Sequence, residues 1–444
     1  MFFPLRKIVV VLGTFFGFYL LLKIASPFQS QSSKVPTLYK LRVKPDEKFV
    51  TYLSHSGFHN QRIELENALF LAKKLNRSLL LPPAMLGPPL PWRPFNVLHD
   101  WLLSKTKKGL DHCKKLSLRE LPLECAGYET WSKLPWTYFF DLNPLLREVR
   151  IYQREEFDYD ELQQFGIHSF DDIHYIKDQS TYDYMILDQK NDTIPLKNYN
   201  RQITIDELGK IDAKLLYFGS IFGTTRVQAT TPKTKQEFNG LRDRIIYNTE
   251  PVLSVTKKIV KKLGGSENFY GIHLRTSDYF FAENLEENVG VTVDNMQQAL
   301  SARAKNKYYP DPKPSEVTTY DPRAPPTLKE CLNRPRHVSF ASPIIYLATD
   351  ARNIRQSKVI RPLLTAFPCT FILDDFKSDL FELSHQRNPQ DEIVLTPHLI
   401  PMVDATVASR GKFFVGTPKS TFSKYTRRLH NVYFGREDPI KFLV

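Results

Sequence analysis

The residues best placed to do chemistry cluster in one stretch, Gly271-Ile-His-Leu-Arg-Thr-Ser-Asp278. Its front, Phe269 to Leu274, reads as a buried strand, so Arg275 and Asp278 fall in the loop beyond the strand's carboxyl end. In open α/β sheets ligands bind there. A guanidinium is permanently charged, and its donor fork matches phosphate. The same pair would equally serve as a structural ion pair closing the strand. A second group, Gly57-Phe-His-Asn-Gln-Arg62, reads as a glycine-led loop at the amino end of a helix. Free N–H groups and the dipole favour phosphate or carboxylate there. Asn60 and Gln61 add amide donors and Arg62 a charge, although Asn60 as a plain N-cap explains the pattern too. A third group follows two more apolar runs. Asp350, after Leu347-Ala-Thr, suits the two N–H donors of a guanine edge or the cap of the next helix. Ser420 and Thr421, in Gly416-Thr-Pro-Lys-Ser-Thr-Phe-Ser423, suit a diphosphate or, again, only a cap.

Alternating strands and helices must position these groups. A strand Phe49–Leu53, a helix from about Arg62 to Leu75 with apolar residues at three- and four-residue intervals, and a strand Ser78–Pro82 form a βαβ unit. Tyr184–Leu187 and Lys214–Phe218 are further strands, and Pro83–Trp136 is an irregular excursion. Thr230–Lys235 reads as a linker and Gln236–Leu263 as one helix. Beyond it, Phe269–Leu274, Pro343–Ala348, Thr370–Leu373 and Gly411–Val415 alternate with helices at Ala351–Leu364, Pro401–Ser409 and Ser420–Leu429. The expectation is α/β, with doubly wound domains over 46–230 and 231–444 facing a cleft. The proline-rich 305–336 is read as a surface insertion.

The formal charge of +13 comes from 61 Lys and Arg that are scattered, without a basic arm or nucleic-acid-binding signature. A basic cleft for a phosphorylated small molecule is preferred over nucleic acid. Arg6-Lys7 precede the apolar run Ile8–Leu22, and Lys23 follows. Residues 1–25 are read as a cytosolic tail and signal-anchor, with a cleaved signal peptide as the rival, and 26–45 as a stem. Either way the rest reaches the lumen of the endoplasmic reticulum or Golgi. Asn76-Arg-Ser and Asn191-Asp-Thr are glycosylation acceptors. The four cysteines are expected to pair as Cys113–Cys125 and Cys331–Cys369, one of the three possible connectivities, with four free thiols as the alternative.

Taken in order, these pieces resemble the protein O-fucosyltransferase superfamily. Gly57-Phe-His-Asn-Gln-Arg, then Asn67-Ala-Leu-Phe-Leu-Ala-Lys-Lys-Leu-Asn-Arg-Ser-Leu-Leu-Leu-Pro-Pro83, is similar to that family's first loop, helix and strand. Gly-Ile-His-Leu-Arg…Asp278 is similar to its second motif. Asp404-Ala-Thr-Val-Ala-Ser-Arg-Gly-Lys-Phe-Phe-Val-Gly…Ser420-Thr-Phe-Ser423 resembles its last. The resemblance implies a GT-B-like pair of Rossmann-like domains, GDP-fucose as donor, and transfer to a protein or glycan hydroxyl with inversion and without a metal. Arg275 would then meet the charge growing on the β-phosphate, as a fixed cation can. His273 and Asp278 would orient the loop and sugar, and Asn60 would reach the fucose or phosphate. Gly57, Gln61 and Arg62 complete the front of the donor site, and Asp350 contacts the base. Ser420, Thr421 and Phe422 hold the diphosphate and line the fucose pocket.

One departure concerns the base, because the glutamate that some relatives carry just before Gly-Phe is Ser56 here. His55, His59, Glu64 and Glu66 lie nearby, and Glu64 is taken as the catalytic base. Three other readings stand beside this one: a metal-bridging Asp158-Tyr-Asp160, a transferase for another nucleotide sugar, and a lumenal scaffold that kept the fold without the chemistry.

Overall fold

The computed structural model describes residues 38–39, 41–115, 122–191, 193–266, 268–306, 325–334 and 343–435. The expected anchor, the first twelve residues of the stem, and the core of the proline-rich insertion lie outside these residues. Among the described residues no helix is long and apolar enough to cross a membrane.

Two all-parallel sheets organise the chain. The first contains β1 (Phe49–Tyr52), β2 (Ser78–Leu81), β3 (Ile151–Gln153), β4 (Ile173–Ile176) and β5 (Leu215–Phe218), in the order β3-β2-β1-β5-β4. The second contains β6 (Phe269–Leu274), β7 (Ile344–Thr349), β8 (Thr370–Phe371) and β9 (Phe414–Gly416), in the order β8-β7-β6-β9. Strands covered on both faces are built from near-continuous apolar runs, as Leu79-Leu-Leu and Ile344-Ile-Tyr-Leu show. In each sheet the strand order reverses beside the first strand, the switch point at which a crevice opens.

The strand period of two sorts the core. Val50 and Tyr52 enter a central cluster shared with Phe269, Tyr346 and Met402, while Phe49 and Leu53 face a separate cluster on the far side of the first sheet. Ile272, Leu347 and Val415 pack on the far side of the second sheet. The central cluster therefore draws on both halves of the chain.

The structure corrects several sequence expectations. The helix after β1, α1, spans Phe58–Lys74 and begins four residues before the position expected, with Gly57 rather than Asn60 as its N-cap. Thr231 accepts a hydrogen bond from Thr234 N at 3.1 Å and Pro232 opens α2 (Pro232–Arg242), so the supposed linker is a capped helix start. A second helix, α3 (Glu250–Lys262), starts anew with Pro251 in its first turn, where a proline is tolerated as it is not mid-helix. Tyr184–Leu187 belongs to a small sheet with Val227–Gln228 and Arg201–Thr204 rather than to the main one. The stretch after β7 is helical only at Ile354–Gln356 and Arg361–Ala366.

In the second half, the long α4 (Leu285–Asn306) is followed by α5 (Thr396–Ser409) and α6 (Thr421–Phe434). Phe70 of α1 stacks on Phe238 of α2 at 4.3 Å, and Tyr425 of α6 donates to Ile245 O at 3.0 Å. Asn388 donates to Ser132 Oγ at 2.7 Å and to Lys133 O at 2.9 Å. Both disulfides form as expected, Cys113–Cys125 and Cys331–Cys369. Asn76 is exposed, with φ 50°, just beyond the end of α1. Asn191 accepts from Thr193 Oγ1 at 2.6 Å in a loop.

Candidate active site

The loop after β6 is built from its own backbone outward. Thr417, just past β9, donates through Oγ1 to His273 O at 2.9 Å and accepts from Arg275 N at 2.9 Å. This stitches the two strand ends together at the switch point. Gly416 matters here. A Cβ on it would lie 2.7 Å from Ser423 Cβ, so only glycine lets α6 seat against the strand. That seating brings Ser423 Oγ to 2.6 Å from His273 Nδ1 and lays Phe422 over the imidazole at 4.4 Å.

Arg275 opens into a cleft of about 390 Å³. Phe58, His59, Met85, Leu86 and Gly87 form one wall; His273, Arg275, Thr349, Asp350 and Phe422 form the other, and α5 from Pro397 to Asp404 adds a third side. A second hollow of about 540 Å³, at the carboxyl ends of β7 and β8, shares Thr349 and Asp404 with the first. Asn353, Arg355, Asp374 and Asp375 also line it.

The Arg275 side chain is 29 % exposed, and it pairs with Asp278 Oδ2 at 2.6 Å and Asp350 Oδ2 at 3.0 Å. Asp278 is 64 % exposed and sits at φ 73°, a strained conformation for a non-glycine residue. An ion pair this open contributes about 0–1 kcal/mol, so an incoming anion can displace it. Asp350 is held tightly. It accepts from Thr276 N at 2.8 Å, Thr276 Oγ1 at 3.0 Å and Ser277 N at 3.2 Å, and from the Ser277 hydroxyl. Burial pushes its carboxyl up, but these donors and Arg275 outweigh burial and hold it below the usual range. In this structure Asp350 organises the Arg275 loop, and its oxygens are already filled.

The front group divides. An α-helix turns about 100° per residue, so its first-turn side chains cannot share one direction. Phe58 and His59 reach the cleft. Asn60, expected to reach the fucose or phosphate, is not among the cleft-lining residues; its Oδ1 is buried and has no hydrogen-bond partner. Gln61 points elsewhere: its Nε2 donates to Ser56 O at 3.2 Å and Met85 O at 3.0 Å, and its Oε1 accepts from Met85 N at 2.9 Å. It latches the wall rather than lining it. Arg62, 2 % exposed, pairs with Glu66 and lies 4.2 Å from the Tyr425 ring centroid. Glu66 also takes Arg428 and Arg242; burial pushes its carboxyl up, but Arg62, then Arg428 and Arg242, outweigh burial and lower it. Gly57 contributes the helix cap alone.

Glu64 is displaced from its expected role. It is fully buried in the first-half core, accepting from His55 N at 3.3 Å, and burial holds its carboxyl well above the ordinary range. It is not among the cleft residues, so it is no base for a reaction there. Ser420 caps α6 by accepting from Ser423 N at 3.2 Å, and Thr421 opens the helix half-buried beside it. Asp158 accepts from Lys108 Nζ at 2.9 Å and from Glu161 N at 3.0 Å, away from the cleft, which accounts for the Asp-Tyr-Asp pattern.

Sequence reasoning passed over Asp404. It lines both hollows, accepts from Tyr346 Oη at 2.6 Å, and is pushed up to about 7 by burial. The signal was available: it is an acid inside the apolar helical run Leu399–Val407. Of the three histidines lining the cleft, His59, His273 and His398, all are pushed toward the neutral form by burial. Burial, then Arg275, lowers His273 to about 3 against Asp350. His59 is pushed well below its ordinary value by burial, then by Arg62, His273 and Arg275.

Comparison with known proteins bears on this arrangement. The O-fucosyltransferase 30 of Arabidopsis thaliana is 51 % identical over 39 residues, a match spanning 9 % of this chain and 8 % of that relative. Among solved structures, POFUT1 in complex with GDP aligns at 13 % identity and TM-score 0.43, covering 89 % of this chain and 98 % of that one. The fucosyltransferase NodZ from Bradyrhizobium aligns at 14 % identity and TM-score 0.37, covering 86 % and 93 %. The family model described as GDP-fucose protein O-fucosyltransferase matches residues 124–433, most of the described structure, and the chain belongs to that family.

Proposed function

We propose that this chain transfers fucose from GDP-fucose to a hydroxyl of a protein or glycan acceptor, inverting the anomeric carbon and using no metal. The observation that carries the reading is Arg275, a charged fork at a strand end, facing the cleft beside two joined hollows. A nucleotide sugar has a base and a sugar linked by a diphosphate, and two hollows meeting near one arginine suit that shape. The base and ribose take the larger hollow, the diphosphate passes Arg275, and the fucose lies against Phe422, His273 and the Met85–Gly87 wall. The second half, 231–444, thus holds the donor, and the first, 46–230, presents the acceptor.

As the sugar–phosphate bond breaks, negative charge grows on the β-phosphate. A preorganised guanidinium in a shielded cleft lowers that barrier by several kcal/mol. The cleft acids Asp350 and Asp404 already have donors, so they form no ready cradle for a cation. Inversion follows from a single displacement, in which the acceptor oxygen enters opposite the departing GDP. Two disulfides favour an oxidising lumen. With Arg6-Lys7 before Ile8–Leu22, this supports a type II anchor in the endoplasmic reticulum or Golgi membrane.

GDP-fucose turnover by the purified lumenal part, with and without EDTA, tests the reaction. Turnover that persists in EDTA and releases α-configured product from the β-linked donor supports it; loss of activity in EDTA defeats the metal-free part. Protease protection of the chain in intact microsomes tests the topology.

A further inference from the structure

We propose that His59 is the group that takes the proton of the attacking hydroxyl, an assignment that rests on the fucosyl-transfer reading above. His59 is a wall residue of the cleft that holds Arg275. Its ring packs edge-on to Phe422 at 4.9 Å, and His273 stacks on the other contact of that same Phe422. The three rings form one aromatic run along the cleft.

The hydrogen-bond inventory separates the histidines. His273 Nδ1 is taken by Ser423 Oγ at 2.6 Å. His59 Nε2 lies 3.4 Å from Tyr247 Oη, whereas its Nδ1 is buried and has no hydrogen-bond partner. A buried polar atom left unmet is destabilising, a cost that a hydroxyl bonding to it would relieve. The proposal requires the tautomer in which Nε2–H donates to Tyr247, which leaves the lone pair on Nδ1. Among the other cleft groups the acids are taken, which leaves His398 as the rival that the test below separates. Asp350 is filled by the Arg275 loop, Asp404 accepts from Tyr346, and Glu64 lies outside the cleft.

Arg62, His273, Arg275, Tyr247 and Tyr425 surround the ring, and none is an acid that would hold it protonated. It is therefore neutral and able to accept. The diphosphate of the donor offsets Arg275, which raises the proton affinity of His59 once substrate is bound. The acceptor O–H proton passes to Nδ1 as the oxygen bonds to the anomeric carbon. The bond from that carbon to the β-phosphate oxygen breaks, and its electron pair leaves with GDP. The imidazolium then releases its proton to solvent.

The test uses GDP-fucose hydrolysis, with water as the attacking hydroxyl, and calorimetric binding of GDP. His59→Phe keeps the ring contacts and removes both nitrogens; His59→Asn returns a polar atom near the position of Nδ1. The expected result is a fall in kcat of about 10²-fold for His59→Phe. The KM for GDP-fucose and the Kd for GDP should stay within about twofold, and His59→Asn should be as slow as His59→Phe, because an amide accepts a hydrogen bond but not a proton. Turnover by His59→Phe at the wild-type rate overturns the proposal. So does parallel loss of GDP binding, which would make His59 a donor-binding group. So does a His398→Phe variant, altered at the cleft's half-exposed third histidine, that loses activity where His59→Phe does not. A wild-type chain that binds GDP but leaves GDP-fucose intact, with or without candidate acceptors, overturns the underlying reading instead.

Discussion

Arg62 and Arg275 carry the same charge in two segments that look equally suited to phosphate, yet they do opposite work. Arg275 leaves a strand end, stands 29 % exposed, and leans on an open carboxylate. Arg62 sits one turn into α1, 2 % exposed, locked to Glu66 and covered by Tyr425. A strand end releases its next residues into the crevice, whereas a helix start sends successive side chains in different directions. Position in the element, more than residue type, separates an arginine open to the cleft from one locked in the interior.

The sharpest way to break the comparison is to disturb the structural arginines. Glu66→Gln leaves Arg62, Arg242 and Arg428 without their shared carboxylate and should cost about 3–5 kcal/mol of stability, read by denaturant unfolding. A stability loss under about 1 kcal/mol would show that this cluster is not the lock described. Arg275→Ala should leave the melting temperature nearly unchanged and lower GDP-fucose turnover on the order of 10²–10³-fold. Arg275→Lys should be almost as damaging, because an ammonium cannot reproduce a two-point contact. A lysine variant with near-normal turnover would remove Arg275 from its role.

Asp404 sharpens the comparison by pH. Its folded value of about 7 lies above the ordinary 3.8, so its contribution to stability is fully present below about 3.8 and fades as pH rises through 7. Asp404→Asn should therefore flatten the decline in melting temperature over that window; an unchanged profile would contradict the burial described. The smallest effect belongs to Glu64→Gln. Because the buried carboxyl is already held in its neutral form, turnover should stay within about twofold and stability should change by under about 1 kcal/mol. A large loss of turnover would restore Glu64 as a base.

What was legible in the sequence follows the same division. The apolar run Phe269–Leu274 matched its strand residue for residue, and Arg275 followed from where it ended. The three-residue β3 and the mixed run of β4 are held by neighbours in the sheet, and their local pattern is too short or too polar to announce them. Thr231-Pro232 carried a helix-start signature that was read as a linker. For α1, the glycine and amides suggested a loop, and only the full helix reveals which side chains turn inward. The cleft role of His59 depends on α6, more than 360 residues away in sequence, and no local pattern encodes that contact.

The central cluster, shared by residues from Val50 to Leu429, has a practical consequence. Scissoring the chain near residue 230 would strip Phe70 of Phe238 and bare an oily seam on each fragment. Neither piece should be soluble when expressed by itself, while co-expression could let the two re-anneal into a working enzyme.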